Sequence, residues 1–213
     1  MNVLITAGAT REPIDPVRYL SNGSTGTTGA ALATSLAERG HEVTLLRGEG
    51  AASPSELVAT KTFTTTAHLL ALLQHQLSTG NFGAVIMAAA VSDYRPEESS
   101  PDKLSSDEST RTLRLVRNPK MLPRLRSFSP GPLRVVGFKL TVGANEAERL
   151  AAVRRQLAEG GVDYVVHNDL EEIRRAEAHP FRLFESADVS PVALDGVSAL
   201  AEALDQRLPL APE

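Results

Sequence analysis

Polar and small residues collect at the ends of the apolar runs in this chain, and their types point to anion and nucleotide chemistry. Gly8, Ala9 and Thr10 follow the run Val3 to Ile5, Ser92 and Asp93 follow the run Ala84 to Val91, Lys139 follows Phe138, and Asn168 and Asp169 follow Val165-Val166. Ligands of open α/β sheets sit at the carboxyl ends of the strands, so Thr6 to Thr10, Asp93, Lys139, Asn168 and Asp169 are expected to share one crevice. A second cluster, Asn22-Gly23-Ser24-Thr25-Gly26-Thr27-Thr28-Gly29, precedes the helix-like stretch Ala30 to Leu36. A helix start of this kind offers unpaired N–H groups and the positive end of a dipole, which is how phosphates are held. Asp93 and Asp169 have the charge to hold magnesium through water or to accept hydrogen bonds from a base or sugar; either one alone reads better as a capped loop or a hydrogen-bonded turn.

Covalent catalysis finds little support. The chain has no cysteine, and Ser24 in Asn-Gly-Ser-Thr-Gly lacks the nucleophile elbow. No histidine stands at a spacing that names a base. His68 and His75 lie seven apart on one helix with no third ligand, a pattern that suits surface or packing roles better than a metal. Lys103, the only lysine between Lys61 and Lys120, reads in isolation as a solvated loop charge. A reaction built on phosphate binding, magnesium and positioning fits this inventory.

The elements that must position these groups follow from periodicity. The buried-type strand Val3 to Ile5, a helix through Leu36 broken at Gly40, and a strand from Glu42 to Leu46 make a βαβ unit. A short strand from Leu57 to Phe63 and an amphipathic helix from Ala67 to Leu77 come next. Ala84 to Val91 is continuously apolar, as expected of a central parallel strand covered on both faces. Glu97 to Arg111 is charged and serine-rich and reads as a lid or an idle loop. Leu113 to Val116 alternates like an exposed strand, and Asn118-Pro119 reads as the N-cap and first residue of a short helix through Leu125. Val135 to Phe138 and Val162 to Asp169 are strands flanking a helix from Glu146 to Ala158 that ends at Gly160-Gly161. Phe181 to Phe184 and Val189 to Leu194 form an antiparallel pair, with Pro191 at a sheet edge, before a last helix from Val197 to Leu208. Alternating strands and helices predict an α/β, doubly wound, Rossmann-like and mostly parallel sheet with helices on both faces.

The spacing of the glycines separates this chain from dinucleotide binders. There the glycines follow the first strand at once, because the tight turn and the pyrophosphate seat are the same residues. Here residues 9–23 intervene between Gly8 and Ser24. Pro13 and Pro16 fix φ and remove two donors, so this insert is expected to be an ordered excursion over the sheet edge rather than a hairpin or a helix.

Composition bounds the rest. At 213 residues, with 42% apolar and 23% charged content, the chain suits one nucleotide-binding domain over 1–213, with a flap at about 94–117. A net charge of −4 and the lack of a basic stripe disfavour nucleic acid and anionic membranes. No apolar segment reaches the length of a spanning helix, and a cytoplasmic location is expected.

Four segments together resemble the phosphopantothenoylcysteine synthetase family, or phosphopantothenate-cysteine ligase, of coenzyme A biosynthesis. They are Ile5-Thr6-Ala7-Gly8 through Thr10-Arg11-Glu12-Pro13-Ile14-Asp15-Pro16-Val17-Arg18-Tyr19-Leu20-Ser21-Asn22; Ala88-Ala89-Ala90-Val91-Ser92-Asp93-Tyr94-Arg95-Pro96; Lys103-Leu104 with Asn118-Pro119-Lys120-Met121-Leu122; and Val136-Gly137-Phe138-Lys139-Leu140 with Asp163 to Asp169. The resemblance implies that a nucleoside triphosphate, CTP in preference to ATP, activates the carboxylate of 4'-phosphopantothenate as an acyl-nucleotidylate with Mg2+, and that the amine of cysteine then displaces the nucleotide. It implies that Asn22 hydrogen-bonds the acyl intermediate and that Lys103 is the flap lysine reaching the reacting phosphate. By the same resemblance Asp93 binds the nucleotide with the backbone of Ala88 and Ala89 beside it, the turn Asn118, Pro119, Lys120 and Met121 brackets the base, backbone geometry from Met87 to Asp93 and around that turn sets base choice, and Phe138 lines the site. Gly8, Ala9, Thr10, Ser24, Gly26 and Gly29 would donate to phosphates.

Two segments depart from the family pattern. Gly26-Thr27-Thr28-Gly29 stands where many bacterial members have Gly-Lys-Met-Gly, and Gln156 and Gly160 stand where many have triphosphate-binding lysines, leaving Arg154, Arg155 or Lys139 as substitutes. Phe138-Lys139-Leu140 is similar to the stand-alone form, which implies a separate decarboxylase in the pathway; the family also implies a homodimer. The competing readings are an NAD(P)-dependent short-chain-type reductase, disfavoured by the late glycines and the lack of a Tyr-x-x-x-Lys pair, and a non-catalytic nucleotide-binding relative.

Overall fold

β1 (Asn2–Ala7) is the strand around which the rest of the chain is arranged. A computed structural model of the protein describes residues 1–186 and 188–209. After β1 come β2 (Arg11–Pro13), β3 (Tyr19–Ser21), α1 (Thr27–Glu38), β4 (Glu42–Gly48), β5 (Ala59–Phe63), α2 (Thr66–Thr79), β6 (Ala84–Met87), β7 (Tyr94–Pro96) and β8 (Leu115–Arg117). A 3-10 turn, Leu122–Arg124, leads into α3 (Leu125–Phe128), followed by β9 (Arg134–Thr141), α4 (Glu146–Ala158), β10 (Tyr164–Asp169), α5 (Leu170–Arg175), β11 (Pro180–Phe184), β12 (Val192–Asp195) and α6 (Gly196–Asp205).

The main sheet has eight strands in the order β12-β11-β10-β9-β6-β1-β4-β5. Every pairing from β10 to β5 is parallel, and β11 and β12 add antiparallel strands at one edge. Alternation along β1 divides the core. Val3, Ile5 and Ala7 face α1 and α6, whereas Leu4 faces the layer containing α2 and α3, and all four are fully buried. A strand covered on both faces has no polar side to show, which is why β1 and β6 read as continuous apolar runs. The doubly wound, mostly parallel α/β sheet expected from the sequence is therefore present.

From β1 the chain builds outward through β4 and β5, then returns to place β6 on the other side of β1. Strand order reverses there, and the reversal opens a crevice at the carboxyl ends of β1 and β6. An isolated bridge spans its floor: Ala90 N donates to Gly8 O (2.8 Å) and Thr10 N to Ala90 O (3.3 Å).

Three local expectations need correction. The insert after Gly8 is a hairpin, with Arg11, Glu12 and Pro13 of β2 opposite Ser21, Leu20 and Tyr19 of β3. Pro13 occupies the last paired position, and Pro16 lies in a turn closed by the Asp15 carboxylate, so neither proline interrupts the ladder. β6 ends at Met87 rather than Val91, because Thr6 Oγ1 accepts from Ala89 N (3.1 Å) and draws the following residues out of the sheet. Asn118 caps no helix: its side-chain amide donates to Ser92 O (2.9 Å) and Thr66 Oγ1 (3.3 Å), and helical structure begins only at Leu122.

Pro191 immediately precedes the edge strand β12, as its missing donor requires. Among the described residues no helix is long and apolar enough to cross a membrane.

Candidate nucleotide-binding cleft

The cleft beside the crevice is built from backbone that buried hydroxyls hold in place. Thr10 is fully buried, and its Oγ1 accepts from Ser92 N (3.0 Å) and from Thr66 Oγ1 (3.2 Å). Thr66 opens α2, whose first turn contains no acidic residue of its own. Glu12, only 2% exposed, supplies that charge from the hairpin: its Oε1 accepts from Thr66 N (2.9 Å) and from the Thr66 hydroxyl. A carboxylate at a helix N-terminus satisfies free donors and complements the dipole. Asn118 joins the same network through Thr66 and Ser92, and Asn118 N donates to Asp93 O (2.9 Å). The sequence reading named neither Glu12 nor Thr66 as site residues. The signal available was Thr65-Thr66 opening a helix without its own acidic residue.

This network frames a cleft of about 260 Å³ at the carboxyl ends of β6 and β9. Met87, Ala89, Asp93, Asn118, Pro119, Lys120, Met121, Phe138, Lys139 and Arg155 all line it, so segments distant in sequence meet as expected. Three cations reach it: Lys120, Lys139 and Arg155. Lys120 Nζ pairs with Asp93 Oδ1 at 3.0 Å, with both side chains largely exposed. Gln156, at a position where the family pattern has lysine, lies 8% exposed against the cleft floor and donates to Phe138 O (3.4 Å). Its amide fills the space beside Gly137, where a Cβ would lie 2.1 Å from Gln156 Nε2.

Other expected residues lie outside the cleft. Asn22 is exposed just beyond β3 and donates to the carbonyl of Val91, a cleft-lining residue, at 3.4 Å. Lys103 is exposed on the long loop between β7 and β8. Ala88 follows β6 directly but does not line the cleft. Gly8, Ala9 and Thr10 lie at the crevice floor beside Ala90, and Gly26 and Gly29 pack against Gly8 and Ala7, whereas Ser24 precedes them with its amide donating to Asn22 O (3.0 Å). Gly26 at the α1 N-terminus has left-handed φ and no side-chain cap; Thr27 N donates to Thr25 Oγ1 (3.4 Å), and among the described residues the Thr28 and Gly29 amides have no acceptor. Gly26 and Gly29 also answer to packing: a Cβ would lie 2.9 Å from that of Ala51 at Gly26 and 2.6 Å from that of Ala7 at Gly29.

Asn168 and Asp169 do not share the crevice, contrary to expectation. Asp169 is fully buried and accepts from Thr141 Oγ1 (2.6 Å), Gly143 N (3.0 Å), Ala144 N (3.1 Å) and Glu171 N (3.0 Å). Burial opposes its ionisation, but the Thr141 hydroxyl and these amides outweigh it and hold the carboxyl well below its ordinary range. It caps α5 and ties down the loop after β9. Asn168 Nδ2 sits 2.9 Å from His179 Nε2. His167, also fully buried, has its pKa lowered to about 4 by burial and by Arg182 and Arg149. His68 and His75 are exposed on α2, and among the described residues no group of three or more His, Asp or Glu side chains is placed to hold a metal ion.

Residues 1–202 match the family model described as the DNA/pantothenate metabolism flavoprotein C-terminal domain. The coenzyme A biosynthesis bifunctional protein CoaBC of Thermococcus kodakarensis is 38% identical over 169 residues, covering 79% of this chain and 41% of that protein. The chain thus spans less than half the length of the curated relatives it matches. Among solved structures, the DNA/pantothenate metabolism flavoprotein from Streptococcus pneumoniae superimposes with a TM-score of 0.86 at 27% identity, covering 98% of both chains. The C-terminal domain of a CoaBC superimposes with a TM-score of 0.73 at 25% identity, covering 97% of this chain and 93% of that one. By sequence over nearly its whole length and by fold, this chain belongs to the family of DNA/pantothenate metabolism flavoprotein C-terminal domains.

Proposed function

We propose that this chain is a phosphopantothenate-cysteine ligase that uses a nucleoside triphosphate, CTP in preference to ATP, with Mg2+. One observation carries the reading: Asp93, the turn Asn118 to Met121, Phe138 and Lys139, drawn from separate segments that bear the resemblance, line a single cleft beside the sheet's reversal point, together with Arg155 from α4. The CoaBC relatives are named for coenzyme A biosynthesis, which supports the same pathway.

The residues present suit a nucleotide triphosphate. Half-buried Phe138 and the backbone from Asn118 to Met121 offer a slot for a planar base, with Asp93 at its edge. Lys120, Lys139 and Arg155 supply cations to the cleft in place of the lysines missing at Gln156 and Gly160, and the uncapped α1 N-terminus supplies free amides nearby. Magnesium would enter with the phosphates, to which it commonly remains bound while keeping several waters. When bound, it neutralises charge on the phosphates as the carboxylate of phosphopantothenate attacks the α-phosphorus and pyrophosphate leaves.

Lys103 adds positive charge at that step, and Asn22 holds the acyl intermediate while the cysteine amine attacks its carbonyl and the nucleoside monophosphate departs. The active unit is a homodimer.

The test is direct. Purified protein given CTP, magnesium, phosphopantothenate and cysteine should release pyrophosphate and form the amide product. Binding of NAD(P) without CTP, or CTP binding without pyrophosphate release, would overturn this reading in favour of a reductase or a non-catalytic relative. A monomeric mass at assay concentration would remove the dimer.

A further inference from the structure

The long loop between β7 and β8 is anchored at a defined point. Its Ser100 N donates to Ile14 O (2.9 Å), and its Leu104 N donates to Asp15 Oδ2 (3.2 Å). Arg18 closes the contact from the other side, with Nη1 donating to Asp15 Oδ2 (3.1 Å) and to Leu104 O (3.3 Å). The remaining oxygen of Asp15 accepts from Val17 N (2.9 Å) and Arg18 N (2.8 Å), which forms the tip of the β2–β3 hairpin. One side chain, with no exposed surface, thus shapes the hairpin tip and grips the loop next to Lys103.

Two features make this grip more than a surface contact. Burial opposes ionisation of Asp15, yet the Val17, Leu104 and Arg18 amides and the Arg18 guanidinium outweigh it, so the carboxyl titrates below its ordinary range and stays an acceptor. The gripped residue is the immediate neighbour of Lys103, whose own side chain is exposed. The same hairpin leads directly into Asn22, so it carries one of the residues proposed to touch the reacting groups and anchors the neighbour of the other.

We propose that Asp15 is a positioning residue for catalysis: by holding the Leu104 amide against the hairpin tip, it fixes where Lys103 is presented to the reacting phosphate. The inference rests on the ligase reading for its kinetic half and on geometry alone for the rest. Asp15→Asn keeps the oxygen that accepts from Val17 and Arg18 but puts an amide donor where Leu104 and the Arg18 guanidinium need an acceptor.

The full chain tests this by two routes. The Lys103–Leu104 bond is a trypsin site, and limited digestion of the folded protein should cut it about tenfold faster in Asp15→Asn, since local opening governs cleavage. Pyrophosphate release should fall about a hundredfold in kcat, the cost of a small misplacement of a reacting group, with the nucleotide KM little changed. Asp15→Asn combined with Lys103→Gln should be no slower than Lys103→Gln alone, because Asp15 acts through Lys103. A merely structural role would instead add its loss to that of Lys103→Gln. If Asp15→Asn fails to fold, Leu104→Pro removes the amide donor without touching the hairpin and should lower kcat in the same way. Unchanged cleavage, normal turnover, or additive losses in the double variant would each overturn the proposal. Absence of pyrophosphate release from the unaltered protein would overturn the ligase reading and the kinetic role with it, a result distinct from normal turnover in the variant.

Discussion

Glu12 on the β2–β3 hairpin and Thr66 at the start of α2 are joined twice through Glu12 Oε1, by the Thr66 amide at 2.9 Å and by its hydroxyl. Through Thr10 and Asn118 this buried pair fixes the backbone around Ser92 and Asp93. Glu12→Ala leaves the buried Thr66 amide without an acceptor and the Thr66 hydroxyl with Thr10 Oγ1 alone, and should cost about 2 kcal/mol in urea denaturation. Glu12→Gln keeps an acceptor and loses only the charge at the helix start, so it should cost about 1 kcal/mol. Equal losses in the two variants would show that the carboxylate is not the α2 cap.

Gly137 and Gln156 share a space that holds only one of them with a side chain. Gly137→Ala should destabilise the fold by about 1–3 kcal/mol through overpacking. Adding Gln156→Ala should recover part of that loss, because the two residues are in contact and their effects are not additive. A double variant whose loss equals the sum of the single losses would contradict the contact.

Lys120 and Asp93 form an exposed ion pair at the mouth of the cleft, and such pairs contribute little to stability. Lys120→Met should change the unfolding free energy by less than about 1 kcal/mol. Nucleotide affinity, measured by equilibrium binding, should nevertheless fall about tenfold if Lys120 exchanges Asp93 for a phosphate. Unaltered affinity would assign the cleft's positive charge to Lys139 and Arg155 instead.

The two residues given reacting roles should separate the two steps. Asn22→Asp should still release pyrophosphate yet form little amide product. Lys103→Gln should slow pyrophosphate release itself by about 10²- to 10³-fold, the usual cost of removing a group that stabilises transition-state charge. Full product formation in the first variant, or normal release in the second, would dismiss the corresponding role.

His167 sets a pH dependence of stability. Its pKa is about 4 in the folded protein against an ordinary 6.5, so between these values the unfolded chain binds a proton that the native state does not. Stability is therefore complete above about pH 6.5 and lost as pH falls toward 4, by about 2 kcal/mol at pH 5. His167→Gln should remove that slope between pH 7 and pH 5, as followed by denaturant midpoints. Asp169, whose folded pKa is also depressed, acts in the same direction at lower pH: its contribution is present above the ordinary carboxylate range and disappears in stronger acid.

The fold was legible because the central strands are covered on both faces, and Val3 to Ile5 and Ala84 to Ile86 show this as unbroken apolar runs. Asp93, Phe138, Lys139 and the Asn118 turn were legible as candidates because their segments bear a family pattern, and the structure brings them to one cleft. The hairpin was hidden by its prolines, whose effect depends on which positions of a ladder need a donor. Glu12, Asp15 and Asp169 were hard to assign for a common reason. A carboxylate's role as ligand or cap depends on which backbone amides surround it, and those amides come from elsewhere in the chain. Asp169 is the cap that its residue type alone favoured, but away from the crevice in which it was expected, whereas Glu12 was not singled out and supports the cleft.

The reversal of strand order at β1 also bears on how the chain acquires its shape. β1, α1 and β4 are separated in sequence only by the β2–β3 hairpin and can associate early, but Thr6 meets its β6 partner Met87 only 81 positions later. Until Ala84 to Met87 arrive, one side of β1 is a row of unpaired amides and carbonyls flanked by apolar side chains. Such an open edge recruits other strands, and pairings between distant segments form slowly. Off-pathway association during synthesis should therefore start at β1, and substitutions that weaken β6 should reduce the yield of soluble protein more than their effect on final stability implies.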